Sequence, residues 1–212
     1  MKIFVGARSS PLSQQQVWEV WREISGYCPV HFVPVWIRTQ GDWDKHTPLW
    51  KTADDFFTRE IDENLRDRTI RIAIHSAKDL PKQLAPDLSV VALTKGVVQH
   101  DSLIFSGLSL QDLPYAAKIG ISSDRRRRVV SQIRSDLIPV DIRGTIHERL
   151  ELIERGVVDA LIMAEAACVR LHLAVPRIPL SHTTDPRQGR LAVVARSDDE
   201  EIRNFFSSID AV

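Results

Sequence analysis

Short β-prone runs alternate with helical patterns from one end of this chain to the other, and that alternation leaves few folds open. Residues 2–6, 30–37, 70–74 and 88–93 read as strands, each dominated by apolar and β-branched side chains. Between them Ser10-Pro11 opens a helix, with the hydroxyl as cap and the proline in the first turn. Residues 56–65 form a second helix with charges on its outer face. The pattern then restarts. Residues 104–105, 118–121, 137–142 and 160–163 read as strands. They are separated by a helix over 123–133, capped by Ser122 or Ser123, and another over 146–154, ended by Gly156. A short helix over 165–171 leads into a connection rich in proline (Pro176, Pro179, Pro186), then a last strand over 190–195 and a last helix over 198–206. Such alternation predicts an α/β protein with mostly parallel sheets.

The shift in composition over 94–101 marks a crossover between two lobes, and a second crossover over 186–189 returns the chain. The expected domains are therefore 1–94 with 188–212, and 95–187. At 212 residues and 43% apolar, the chain can bury a real core in each. Its 28 basic and 28 acidic residues balance, which argues against nucleic acid as a partner, since phosphate binding draws on a basic excess. Cys28 and Cys168 form no CxxC pair and no metal-binding spacing. A reducing compartment, no disulfide and no metal are expected. The apolar run at the N-terminus is too short for a signal peptide, and no stretch approaches the roughly 20 apolar residues of a membrane span. The sequence thus reads as a soluble, cytoplasmic monomer with no membrane partner.

Four segments place polar groups where strands end and helices begin: 6–11, 75–81, 120–126 and 142–145, with Arg149 one turn further on. Each offers backbone N–H groups, hydroxyls and a cation, a combination suited to carboxylate or phosphate. Taken singly, Ser9-Ser10-Pro11 reads equally as a helix cap, Arg125–Arg128 as a solvated helix face, and Arg143 and Arg149 as surface residues. Lys78-Asp79 stands apart. An apolar strand delivers it and Pro81 stops regular structure beyond it. A carboxylate there can stabilise a cation or accept a proton, or can simply pair with its lysine.

These segments resemble the porphobilinogen deaminase (hydroxymethylbilane synthase) family. The resemblance runs in order through Val5-Gly6-Ala7-Arg8-Ser9-Ser10-Pro11-Leu12, Gly41-Asp42 with Pro48-Leu49, and Phe57-Thr58-Arg59-Glu60-Ile61. It continues through the most diagnostic stretch, Ile72-Ala73-Ile74-His75-Ser76-Ala77-Lys78-Asp79-Leu80-Pro81. Gly120 through Arg126, Arg143-Gly144-Thr145 with Arg149, residues 159–163 with Arg170, and Gln188-Gly189 complete it. The resemblance implies a type II periplasmic-binding-protein fold with the active site in a cleft between lobes. It implies a transferase of tetrapyrrole and haem biosynthesis that joins four porphobilinogen units head to tail, releasing ammonia at each step. By resemblance Asp79 is the catalytic carboxylate, stabilising the azafulvene cation left when ammonia departs. Arg8, Ser10, Lys78, Ser122, Ser123, Arg125, Arg126, Arg143, Arg149 and Arg170 then bind the acetate and propionate groups of porphobilinogen and of the growing pyrrole chain.

The resemblance also implies a dipyrromethane cofactor tethered through a thioether to a cysteine of a third domain. These 212 residues stop short of that domain, and neither Cys28 nor Cys168 stands at the corresponding place. The cofactor is then held without a covalent bond or not at all. Asp54 and Asp55 fall where the family has a glycine-rich, lysine-bearing loop, His100 replaces an arginine before Asp101, and His147, Glu148 and Glu165 make the surface less basic. Two functions stay open on the sequence: a short porphobilinogen deaminase, or a non-catalytic relative that binds a pyrrole or another polycarboxylate. The ligand-sensing domain of a regulator shares the fold class only.

Overall fold

The computed structural model describes residues 1–45, 47, 51–107 and 109–211. Pro48 and Leu49 of the second motif lie outside the described residues. The chain divides into two compact units: unit 1 holds Met1–Trp43, Ala53–Val97 and Pro186–Val212, and unit 2 holds Asp44–Thr52 and Val98–Asp185.

Unit 1 is built on a five-stranded sheet. β1 (Lys2–Arg8) runs parallel to β2 (His31–Ile37) on one side and to β3 (Ile72–Ser76) on the other. β10 (Leu191–Arg196) lies antiparallel between β3 and β4 (Leu88–Leu93). One face of the sheet presents Ile3, Val5, Ile72, Ile74 and Val193 to Val17, Val20 and Ile24 of α1 (Pro11–Ser25) and to Ile202 and Phe206 of α7 (Glu200–Phe206). The other face presents Ala73, Ala192 and Val194 to Ile61 and Leu65 of α3 (Arg59–Arg66). With helices on both faces, Leu191 through Ala195 are all buried, which is why β10 reads as an unbroken apolar run. Phe206 is fully buried, and truncating such a side chain costs about 3–5 kcal/mol. A short helix, α2 (Gln40–Trp43), follows β2.

Unit 2 repeats the plan. β6 (Lys118–Ile121) runs parallel to β7 (Ile138–Asp141) and β8 (Ala160–Ala164), and β5 (Asp101–Ile104) lies antiparallel between β8 and β9 (Arg177–Leu180). α4 (Asp124–Ile133) packs Val129 and Val130 on Ile119, Ile121 and Ile162. α5 (Ile146–Glu154) packs on the side of Leu161 and Met163, with Cys168 of α6 (Glu165–Arg170) in the same cluster. In both units side chains pack tightly onto a glycine of the central strand. A Cβ on Gly6 would come 2.2 Å from Ile70 Cδ1, and one on Gly120 2.5 Å from Leu161 Cδ2.

Each sheet is mixed: four strands run the same way, as alternation requires, and the fourth in order, β10 or β5, runs against both of its neighbours. β9 falls in the connection that the prolines mark as irregular. Pro179 is accommodated because β9 is an edge strand, where a missing N–H breaks no ladder bond. β1 continues to Arg8 because its pairing with β2 runs on to Arg8 and Ile37.

Candidate functional site

In unit 1 the polar groups collect at the C-terminal ends of β1 and β3. Ser10 caps α1: its Oγ accepts from Ser13 N at 3.2 Å and shares a hydrogen bond with Ser13 Oγ. Arg8, at the end of β1, donates from Nε and Nη2 to Asp42 Oδ1 at 3.2 and 2.5 Å. Asp42 Oδ2 in turn accepts from Thr39 N and Oγ1, both at 3.0 Å. Burial works against ionisation of Asp42, but Arg8 and Thr39 outweigh it and hold the carboxyl below its usual range. The Arg8 guanidinium also stacks 4.3 Å from the centre of the Phe57 ring. Gly41 lies against that ring: a Cβ there would meet Phe57 Cε1 at 2.1 Å. The Gly41-Asp42 pair therefore sets Arg8 from two directions, by charge and through Phe57.

Strand β3 ends on His75 and Ser76. His75 is buried, and burial followed by the charge of Arg8 pushes its imidazole down to about 4, so it stays neutral. Ser76 Oγ accepts from Gln16 Nε2 of α1 at 2.8 Å. A single 3-10 turn, Ala77–Asp79, follows; Ala77 N donates to Arg190 O at 3.0 Å, which ties the turn to the entry of β10. Lys78 Nζ donates to Oε1 of the fully buried Gln188 at 3.1 Å. That bond joins two segments 110 residues apart in the sequence. Asp79 itself is exposed.

In unit 2 the corresponding ends carry arginines. Ser123 Oγ caps α4, accepting from Arg126 N at 3.3 Å, and Ser122 Oγ accepts from Arg126 Nη1 at 3.0 Å. Arg126 is buried and grips the fully buried Asp101 with two bonds, Nε to Oδ2 at 3.1 Å and Nη2 to Oδ1 at 2.6 Å. Its charge thus has a structural partner, unlike that of a cation on an open helix face. Arg125 is half-buried, with Nη1 3.5 Å from Thr183 O. After β7, Arg143 Nη2 donates to Asp44 O at 3.0 Å, and Arg149 Nε donates to Gly144 O at 2.9 Å. Thr145 and Glu148 form a capping box at the start of α5. Arg170 is buried in α6.

Three of the acids that make the sequence look less basic, Asp55, Glu148 and Glu165, are tied to basic partners. Asp55 takes both Nε and Nη2 of Arg59 at 2.8 Å. Glu148 pairs with Lys45; that bond and the Thr145 N–H hold its carboxyl down at about 2. Glu165 accepts from Arg177 Nε at 2.9 and 3.0 Å and from Ser102 Oγ at 2.7 Å. Asp55 and Arg59 stand four residues apart, but the partners of Glu148 and Glu165 lie 103 and 12 positions away. Asp42, quoted above in Gly41-Asp42, and Asp101 hold two of the expected arginines, Arg8 and Arg126, and His182 Nε2 lies 3.2 Å from Asp101 Oδ2.

Of the eleven residues expected to carry function, Arg8, Ser10, Lys78 and Asp79 gather in unit 1, and Ser122, Ser123, Arg125, Arg126, Arg143, Arg149 and Arg170 in unit 2. Among the described residues no group of His, Cys, Asp and Glu is disposed to hold a metal ion, and no helix is long and apolar enough to cross a membrane.

A family described as "Porphobilinogen deaminase, dipyromethane cofactor binding domain" matches residues 3–204. The chain is 40% identical over 195 residues to the probable porphobilinogen deaminase of Chlamydia muridarum, covering 90% of this chain and 80% of that one. It is 35% identical over 215 residues to the porphobilinogen deaminase of a Roseiflexus species, covering 98% and 71%. Among solved structures, a periplasmic substrate-binding protein of an ABC transporter from Coxiella burnetii superposes with a TM-score of 0.57 at 15% identity, over 98% of this chain and 91% of that one. That likeness fixes the fold as the type II periplasmic-binding-protein kind. With the fold, the ordered motifs and the matched relatives all in agreement, the chain belongs to the porphobilinogen deaminase family.

Proposed function

We propose that this chain is a porphobilinogen deaminase, a transferase that condenses porphobilinogen head to tail into a linear tetrapyrrole and releases ammonia at each step. The observation that carries this reading is the Lys78-Asp79 turn: an exposed carboxylate at the end of a buried strand, beside a lysine oriented by Gln188. Loss of ammonia from porphobilinogen leaves an azafulvene cation. Asp79 stabilises that positive charge as it develops and accepts hydrogen bonds from the pyrrole N–H groups; a fixed group of this kind contributes about 10²–10³ in rate. Arg8 and Lys78 in unit 1, and Arg125, Arg143 and Arg149 in unit 2, take the acetate and propionate carboxylates. Arg126 and Arg170, assigned to carboxylates by the same resemblance, are both buried. Asp55, Glu148 and Glu165 each have a basic partner, which weakens one of the two arguments for a non-catalytic relative; the missing cysteine is the other. On this reading the enzyme is cytoplasmic, acts as a monomer and has no nucleic-acid partner.

The chemistry of these side chains fits the carboxylates of a dipyrromethane. Within the 212 residues its thioether finds no anchor. Cys168 is fully buried, and burial followed by Glu165 pushes its thiol up to about 11. Cys28 precedes β2, at the end of the sheet opposite Asp79. Arg8, Lys78, Arg125, Arg143 and Arg149 would hold the group through its carboxylates. When bound, it supplies the pyrrole carbon to which the first unit is joined. The test is to incubate the purified protein with porphobilinogen, follow ammonia release and linear tetrapyrrole formation, and take an intact mass. Turnover lost in Asp79→Ala supports the reading; saturable binding of porphobilinogen without turnover by the wild type overturns it.

A further inference from the structure

Asp101 serves more groups than the arginine it grips. Oδ1 accepts from Arg126 Nη2, and Oδ2 accepts from Arg126 Nε at 3.1 Å and lies 3.2 Å from His182 Nε2. Arg125 Nη2 approaches the same Oδ2 to only 3.7 Å, outside hydrogen-bonding distance. His182 has a side chain only 9% exposed, and its Nδ1 is buried with no hydrogen-bond partner among the described residues. Facing a carboxylate, Nε2 is the nitrogen that carries the proton. The imidazole therefore spends its polar contact on Asp101. A carboxylate oxygen has two lone-pair positions. At Oδ2 one is taken by Arg126 and the other by His182, so Arg125, next along the helix, is a third claimant on an oxygen already served.

We propose that His182 is a positioning residue: by occupying the second lone pair of Asp101 Oδ2 it keeps Arg125 from closing on Asp101, and so directs that guanidinium to a carboxylate of the substrate. The identity of the ligand rests on the porphobilinogen reading above; the geometry does not. Without His182, the attraction between Arg125 and a buried carboxylate 3.7 Å away would draw the two together, and the ligand would lose a charge-assisted hydrogen bond.

His182→Phe keeps the ring volume and removes the donor, and His182→Met is a second variant that asks less of the packing. His182→Gln, whose amide reaches to about the place of Nε2, is the conservative rescue. For the first two, KM for porphobilinogen is expected to rise about tenfold while kcat changes less than about twofold, because a contact made equally in ground and transition states is lost. His182→Gln should return KM to near wild type. Crystal structures of the Phe or Met variant should show Arg125 within hydrogen-bonding distance of Asp101. An unchanged KM, an equal rise in the Gln variant, or Arg125 remaining where it stands would each overturn the proposal. A wild-type protein that does not consume porphobilinogen would sink the functional reading alone, because the movement of Arg125 still decides the role of His182.

Discussion

In each unit a central strand, β1 or β6, sends a serine-capped helix to a parallel edge strand, and a second helix brings the chain back to β3 or β8 on the other side. An acid then follows the end of that third strand: Asp79 in unit 1 and Glu165 in unit 2. The two acids have opposite fates. Asp79 is exposed, whereas Glu165 is buried and holds Arg177 and Ser102. The buried acids differ too. Unit 2 gives Asp101 a two-pronged arginine, whereas Asp62, on the buried face of α3, has an Oδ1 with no hydrogen-bond partner among the described residues. One strand plan thus yields an acid that can face a cation in solution, acids that lock a scaffold, and one that strains it. Which it becomes depends on the arginine that the rest of the chain supplies.

The sharpest way to break this contrast is to neutralise these two acids. Asp79→Ala should lower kcat by about 10²-fold or more with little change in melting temperature, in a steady-state assay with porphobilinogen. Glu165→Gln should do the reverse, lowering thermal stability and sparing kcat. Next in size, Asp101→Asn leaves the Arg126 charge buried without its counter-ion. Breaking such a pair costs about 3–5 kcal/mol, or roughly 10 °C in melting temperature for a chain of this size.

Asp62 gives a change of opposite sign. Burial raises its folded-state pKa to about 6, against 3.8 ordinarily, so between those values the folded state binds the extra proton. Stability is then lost as pH rises through that window, and the cost is complete above it. Asp62→Asn should therefore stabilise the protein by up to about 3 kcal/mol at pH 7.5 and by nothing below pH 4, as read from denaturant titrations at the two pH values. The smallest effects belong to the caps. Ser10→Ala and Ser123→Ala should each cost about 1 kcal/mol of stability if they act as caps alone, and a rise in KM beyond that would assign them to the ligand as well.

Much of this was legible in the sequence, and the reasons for the remainder are physical. The buried strands announced themselves because helices cover both faces of each sheet, so β10 reads as apolar throughout. Their direction did not, because an apolar run carries no sign of which way it is threaded; the antiparallel return of β10 and β5 follows only from where the chain re-enters each sheet. β9 hid behind Pro179. At the site, Lys78-Asp79 stood out as a local pattern, and Gln188 as its partner did not, lying 110 residues away. Glu148 read as a surplus acid because its lysine is 103 positions off. Asp101 meets Arg126 across 25 residues and His182 across 81. Charge counts made along the chain miss pairings that only the folded sheets create.

The place of β10 bears on the order in which the molecule can be made. As the chain leaves the ribosome, β3 and β4 emerge early but are not neighbours; the strand that joins them, with its fully buried side chains, is made only after every strand of the second sheet. Every strand of the second sheet lies between Asp101 and Leu180, so that sheet can close while the first still lacks its fourth member. A nascent chain halted before Gln188 should therefore carry a folded second unit and an open first one, its β3 edge unpaired and the Lys78-Asp79 turn without the Gln188 and Arg190 that hold it.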